Sequence, residues 1–223
     1  TTAIRQDSGY LLNGTKQFIT NGGEAEIYCV VALTNPERGI RGASLFLIEK
    51  GTPGFSFGKK EKKMGIRASA TRELVFRNCL VPAENMIGKE GMGFLMVMRL
   101  LDRSRPGVGA QAVGLAQGAL EAASDYARQR IQFGHPIISL QAVQIMLADM
   151  AIAVEAARVL VYAVARTIDS GARDFTEESA MAKVFASDMA MKVTTDAVQI
   201  MGGAGYMRDY PVEKMMRDAK ITQ

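Results

Sequence analysis

The apolar residues of this 223-residue chain change period near residue 90, and that change decides what each part can fold into. Before it, short runs rich in β-branched and aromatic residues alternate with turn chemistry. Tyr10–Leu12, Lys16–Thr20, Glu26–Leu33, Ala43–Glu49, Phe55–Phe57 and Glu73–Arg77 read as strands. Asn13-Gly14 reads as a two-residue hairpin turn, and Asn21-Gly22-Gly23, Asn35-Pro36, Gly51-Thr52-Pro53-Gly54 and Val81-Pro82 read as breaks. Short strands at near-regular spacing predict an antiparallel β-sandwich or barrel over residues 1–90.

From residue 91 the spacing becomes three or four. Leu140, Val143, Leu147, Met150, Val154, Ala157, Val161 and Val164 keep one apolar face along a helix that Ser139 is placed to cap. An earlier helix is expected from about Gly93 to Gln132, kinked at Pro106, with others from about Glu177 to Met201 and from near Pro211. Long helices with short connections predict an up-down four-helix bundle over residues 91–223, so the fold class is α+β. Fourteen methionines, among them Met92, Met96, Met98, Met146 and Met150, read as core filler rather than a cofactor site.

Composition removes several function classes. Hydrophobic residues at 48% and charged residues at 22% exclude a disordered chain, and no apolar run is long enough for a spanning helix. A net charge of +4 is mild for a nucleic-acid binder. The main basic cluster, Lys59, Lys60, Lys62, Lys63 and Arg67, interrupted by Glu61, has no interleaved aromatics and reads as a solvated strand end, with an anion-facing patch as the alternative. Cys29 and Cys79 sit in separate strand-like runs and His135 is the single histidine, so no metal set can be assembled and a reducing compartment is expected.

No nucleophile elbow, P-loop or dinucleotide fingerprint is present. His135, in Phe133-Gly134-His135-Pro136, reads as a turn or surface residue. Gly202-Gly203-Ala204-Gly205 reads as a helix end with a tight turn, or as backbone approaching a ligand phosphate or ring. Two arginine clusters resist a purely structural reading. Asp102-Arg103-Ser104-Arg105-Pro106 puts charges into an apolar helix, where an unpaired buried charge is costly. In Arg128-Gln129-Arg130 the helix dipole accounts for Arg128, whereas Arg130 and Arg105 are candidates for anion contact.

At these residues the chain resembles the acyl-CoA dehydrogenase family over essentially its whole length. Gln199-x-x-Gly202-Gly203-x-Gly205-Tyr206-x-x-Asp209-x4-Lys214-x3-Asp218 matches the family's C-terminal signature at each fixed position. Lys16-Gln17-Phe18-Ile19-Thr20-Asn21-Gly22 is similar to its flavin-side strand, and Arg130-Ile131-Gln132-Phe133-Gly134 to its second FAD-binding turn. The resemblance covers the family's β-domain and C-terminal bundle, without the N-terminal helical domain and the acidic, glycine-rich loop that ends where this sequence starts.

The resemblance implies FAD-dependent α,β-dehydrogenation of an acyl-CoA thioester. A glutamate takes the α-proton, the β-hydride goes to flavin N5, and electrons pass to an electron-transferring flavoprotein. It implies that Phe18, Ile19 and Thr20 line the isoalloxazine, with phenylalanine where many members have tryptophan. It further implies that Arg130, Gln132, Phe133 and Gln141 bind the FAD of a neighbouring subunit, with Gln199, Gly202 and Gly203 near its adenosine end, in a dimer of dimers. Asp102, Arg103, Ser104 and Arg105 match the acyl-CoA contact segment. One subgroup carries its catalytic glutamate where Ser104 stands, and serine cannot act there. The resemblance places the base C-terminal of Gln223, as in most members, and residues 1–223 are expected to be catalytically incomplete. The implied localisation is cytoplasmic for a bacterial protein and the mitochondrial matrix for a eukaryotic one. A flavin oxidase or monooxygenase of the same fold, and a non-catalytic assembly or CoA-binding bundle, are the alternatives.

Overall fold

The computed structural model describes residues 1–223 and divides them into two compact units, Thr1–Lys63 with Arg67–Leu100, and Met64–Ile66 with Leu101–Gln223. The first unit is a seven-stranded sheet in the order β5-β6-β2-β1-β3-β4-β7. Its strands are β1 (Thr2–Gln6), β2 (Gly9–Thr20), β3 (Ile27–Leu33), β4 (Ala43–Glu49), β5 (Phe55–Phe57), β6 (Thr71–Pro82) and β7 (Met86–Ile87). Every pairing is antiparallel except β1 with β3, which meet in parallel at Thr2 and Leu33. Alternation along the strands buries Leu12, Tyr28, Val30, Phe46, Ile48, Leu74 and Phe76 in one apolar cluster. Phe55 stacks on Phe76 with ring centroids 4.9 Å apart.

Two strand expectations change. Asn13-Gly14 is not a hairpin turn: β2 runs straight through it, and the pairing with β6 slips between Leu12 and Gly14. Gly14 takes φ 135°, and a Cβ there would lie 2.7 Å from the Thr1 Cα, so the dipeptide serves a bulge rather than a reversal. The reversal lies at Asp7-Ser8, between Gln6 and its partner Gly9. The strand expected over Glu73–Arg77 extends to Thr71–Pro82, because β2 pairs with it from Gly9 to Thr20.

In the second unit, α1 (Gly93–Gln129, its residues from Leu101 onward), α2 (Gln141–Asp169), α3 (Thr176–Met201) and α4 (Val212–Ala219) share one buried cluster. The α+β class therefore holds. Pro106 lies inside the continuous α1. Ser139 does not cap α2: its hydroxyl donates to the Pro136 carbonyl, and Leu140 holds the N-cap position. Among the methionines, Met150 is buried but Met92 is 41% exposed, so the core-filler reading fails for Met92.

The interior of the bundle is lined by small side chains. Ala112, Ala116, Ala119, Ala123 and Ala127 of α1 are fully buried, as are Ala182, Ala186, Ala190 and Ala197 of α3. Methyl-sized contacts leave no room for growth. Ala123→Leu is expected to cost about 1–3 kcal/mol by overpacking, read as a lower urea midpoint with an unchanged slope.

Candidate functional site

In the sheet unit the candidates cluster where β2 ends. The pairing with β6 slips again between Lys16 and Ile19, and this second bulge forces Phe18 to φ 56°. A non-glycine residue there carries backbone strain of order 1–3 kcal/mol. The result is a phenyl ring that is 66% exposed at the strand edge, followed by half-buried Ile19 and exposed Thr20. Asn21, at φ 58°, starts the turn that follows: Ala25 N–H donates to its carbonyl, as does the Tyr28 hydroxyl. Arg72, opposite Ile19, lies under this turn, and a Cβ on Gly23 would sit 3.3 Å from its Nε. That Nε is buried without a hydrogen-bond partner.

In the helical unit Arg130 follows α1 and opens a hairpin of β8 (Ile131–Gln132) and β9 (His135–Pro136). Its two turn residues, Phe133 at φ 54° and Gly134 at φ 85°, make a primed turn that suits glycine but strains phenylalanine. Phe133 stands 83% exposed at this turn. The two arginines differ sharply. Arg128 is paired with Asp125 at 2.8 Å, whereas exposed Arg130 has no ion pair or side-chain hydrogen bond. Gln132 donates to its neighbour's carbonyl, Gln141 is the first exposed residue of α2, and His135 is a surface residue of β9.

The glycine cluster divides by function. Gly202 ends α3 at φ 56°, with its N–H on the Gln199 carbonyl. A Cβ on Gly205 would meet the Val198 carbonyl oxygen at 2.5 Å, so packing requires glycine there. Gly203 has helical backbone angles and open space around a Cβ, so nothing within the chain requires glycine. Tyr126, one turn before Arg130, meets Tyr210 edge to face at 5.9 Å, which ties the Arg130 segment to the loop after the glycines.

The charges at Asp102 to Arg105 are not left unpaired. Asp102 Oδ1 accepts from Arg105 at 2.6 Å and its Oδ2 accepts from the Thr176 hydroxyl at 3.1 Å, binding α1 to the start of α3. Arg103 and Ser104 are exposed, and the Ser104 hydroxyl donates to Leu101.

A further cluster escaped the local reading. Ile66 takes φ 46°, a strained value for a β-branched residue, and its N–H donates to Asp218 Oδ1 at 2.6 Å. Asp218 is 3% exposed and also pairs with Lys214. Arg217 donates to the Met64 carbonyl at 2.7 Å and forms two hydrogen bonds to Glu213. Burial alone would raise the Asp218 pKa, but Lys214, the Ile66 N–H and Arg217 outweigh it and hold the carboxyl below its usual value. The fixed Lys214-x3-Asp218 spacing was the available signal, since it puts both side chains on one helix face.

Known proteins resemble the chain over its whole length. The family model for the acyl-CoA dehydrogenase middle domain matches residues 1–79, and that for the acyl-CoA dehydrogenase C-terminal domain matches residues 91–223. The chain belongs to the acyl-CoA dehydrogenase family. Within that family, an acyl-CoA dehydrogenase of Bacillus subtilis is 55% identical over all of this chain and 59% of its own length. The butyryl-CoA dehydrogenase structure from Megasphaera elsdenii superposes with a TM-score of 0.98 at 54% identity, covering 100% of this chain and 58% of that one. A chain in a structure of the electron-transferring flavoprotein of Acidaminococcus fermentans gives 0.97 at 56% identity, covering 100% and 58%. The chain thus spans a little under three-fifths of the length of each of these relatives. No helix is long and apolar enough to cross a membrane.

Proposed function

We propose that the protein carrying this chain is an FAD-dependent acyl-CoA dehydrogenase that removes an α-proton and a β-hydride from an acyl-CoA thioester and passes the electrons to an electron-transferring flavoprotein. The observation that carries the reading is the contrast at the end of α1: Arg128 is paired, while Arg130 stands free beside an aromatic residue held out by a strained turn. A guanidinium without a protein partner suits a diphosphate, whose oxygens accept two parallel hydrogen bonds. Gly203, which no internal contact explains, suits close approach by a bound group or a neighbouring subunit.

In this reading Arg130, Gln132, Phe133 and Gln141 hold the diphosphate and adenosine of a neighbouring subunit's FAD, and Gln199, Gly202 and Gly203 lie near its adenosine end, with no side chain at Gly203 to bar close approach. Phe18 and Ile19 cover the isoalloxazine ring, and the exposed Thr20 hydroxyl offers a hydrogen bond to its heteroatoms. When bound, FAD supplies the two-electron acceptor. Asp102, fixed by Thr176, orients Arg105 toward the anionic part of acyl-CoA, with Arg103 and Ser104 on the same exposed turn. Ser104 cannot take an α-proton, so the base is assigned to a glutamate elsewhere in the whole protein. Similarity to the chain in the flavoprotein structure supports the electron-transfer partner. An apolar groove of about 830 Å³ between α2 and α3, lined by Leu160, Met181, Val184 and Phe185, supports self-association into a dimer of dimers.

The deciding experiment mixes the yellow protein with acyl-CoA under anaerobic conditions. Loss of flavin absorbance followed by slow reoxidation in air is expected; rapid stoichiometric peroxide would make it an oxidase, and a folded protein unable to take up FAD would leave a non-catalytic bundle. The glycines give an internal control. Gly203→Ala is expected to leave stability unchanged or raise it by about 0.5 kcal/mol, yet to weaken FAD retention. Gly205→Ala is expected to lower the thermal midpoint through its clash with Val198. Undiminished FAD retention in Gly203→Ala would remove that glycine from the site.

A further inference from the structure

The end of β2 and the turn after it hold conformations that a free chain avoids. Phe18 at φ 56° and Asn21 at φ 58° are left-handed without being glycine, and Gly23 follows at φ 81°. Such residues persist only where their surroundings over-determine them. Part of the restraint is backbone. Asn21 N–H donates to the Ala70 carbonyl at 2.8 Å, and the Asn21 carbonyl accepts from the Glu24 and Ala25 N–H groups, each at 3.0 Å. Arg72 packs beneath Gly22 and Gly23, where its buried Nε bonds to nothing.

The rest of the restraint comes from β3. Tyr28 is buried there, its ring edge to face with Phe55 at 5.1 Å between centroids and 5.5 Å from Phe57. Its hydroxyl spans the turn: it accepts from the Gly23 N–H at 2.8 Å and donates to the Asn21 carbonyl at 3.2 Å. No backbone carbonyl takes the Gly23 N–H, so Tyr28 is its sole acceptor. Phenylalanine would meet the aromatic packing equally well. What the hydroxyl adds is the bond across the turn.

We propose that Tyr28 is a positioning residue for the ring end of the cofactor site. Through the turn it fixes the backbone from Phe18 to Asn21, and with it the exposed Phe18 ring and the Thr20 hydroxyl. The inference rests on the assignment of Phe18, Ile19 and Thr20 to the isoalloxazine. Without the Tyr28 hydroxyl the turn samples other conformations, and the apparent affinity for the ring falls with the fraction of molecules left in the competent one. Contacts to the diphosphate and adenosine, which are assigned to the helical unit, stay as they are.

The test compares the whole protein that carries this chain with its Tyr28→Phe and Phe57→Leu variants. Tyr28→Phe deletes only the hydroxyl, whereas Phe57→Leu loosens the same aromatic cluster and leaves the hydroxyl in place. Amide hydrogen exchange on the flavin-free proteins reads the turn directly. Gly23 is expected to exchange about 10-fold faster or more in Tyr28→Phe, and close to the parent rate in Phe57→Leu. Calorimetric titration of the apoproteins then compares FAD with ADP, which lacks the ring. Tyr28→Phe is expected to bind FAD about 10-fold more weakly, and ADP within about twofold of the parent.

Unchanged Gly23 exchange overturns the proposal. So does an equal loss for ADP, or an equal loss of FAD affinity in Phe57→Leu, since either marks general loosening rather than positioning. A parent that binds FAD no more tightly than ADP removes the ring from this turn and overturns the underlying assignment. Where the parent prefers FAD, an unaltered preference in Tyr28→Phe counts against Tyr28 alone.

Discussion

Asp218→Ala is expected to cost about 2–3 kcal/mol, because the lost carboxylate is the buried acceptor of a backbone N–H while its partner Lys214 is exposed to water. Asp218 is buried, and its two oxygens serve different masters: Oδ1 accepts from the strained Ile66 backbone, and Oδ2 pairs with Lys214. Removing the carboxylate leaves a backbone N–H without its acceptor and an ammonium without its counter-charge. The Met64–Ile66 segment then loses the contact that holds Ile66 at φ 46°. A fall in the thermal midpoint of roughly 10 °C is expected. Asp218→Asn keeps an acceptor for Ile66 and should lose about half as much. A loss below about 1 kcal/mol for the alanine variant would show that the cluster is no stronger than a surface ion pair.

The same carboxylate gives a pH signature. Its folded pKa lies below the usual value, so the unfolded chain binds the proton more readily. The stabilisation is complete above the unfolded carboxyl value, about 4, and is lost as pH falls through the lower folded value. Thermal midpoints measured from neutral to acid pH should therefore fall more steeply for the parent than for Asp218→Asn. Parallel curves would assign the acid sensitivity to other carboxylates.

Arg130→Ala is expected to weaken FAD binding about 10- to 100-fold, the range of a lost charge-assisted contact to phosphate. Arg128→Ala should change it by less than about threefold, because the Asp125–Arg128 pair is exposed and contributes little. Fluorescence titration of apoprotein with FAD measures both constants, and thermal melts without FAD confirm that both variants fold. Equal affinities would remove Arg130 from the cofactor site.

Local chemistry made much of the fold legible. The apolar period located α2 and α3 closely, because each spans many turns and has a continuous buried face. It was weaker where short range and long range compete. Asn13-Gly14 has ideal turn chemistry, yet pairing with β6 along twelve residues of β2 overrules it and converts it into a bulge. Ser139 has a capping hydroxyl, but the tight turn from Ile137 to Ser139 directs it to the Pro136 carbonyl. At the candidate site, the motifs picked out Arg130 and the glycines, but not the division of labour between Gly203 and Gly205. The Ile66–Asp218 contact joins positions 152 apart, beyond any local pattern.

The alanine-lined interior of the helical unit gives it a one-sided tolerance to change. A buried alanine offers only a methyl group to lose, so truncation there opens almost no void, whereas any larger side chain must displace backbone. Drift at those positions can run toward glycine or serine but not toward leucine. Sequence variation in this half should therefore concentrate on the outer helix faces, where assembly and recognition can evolve while the interior stays fixed.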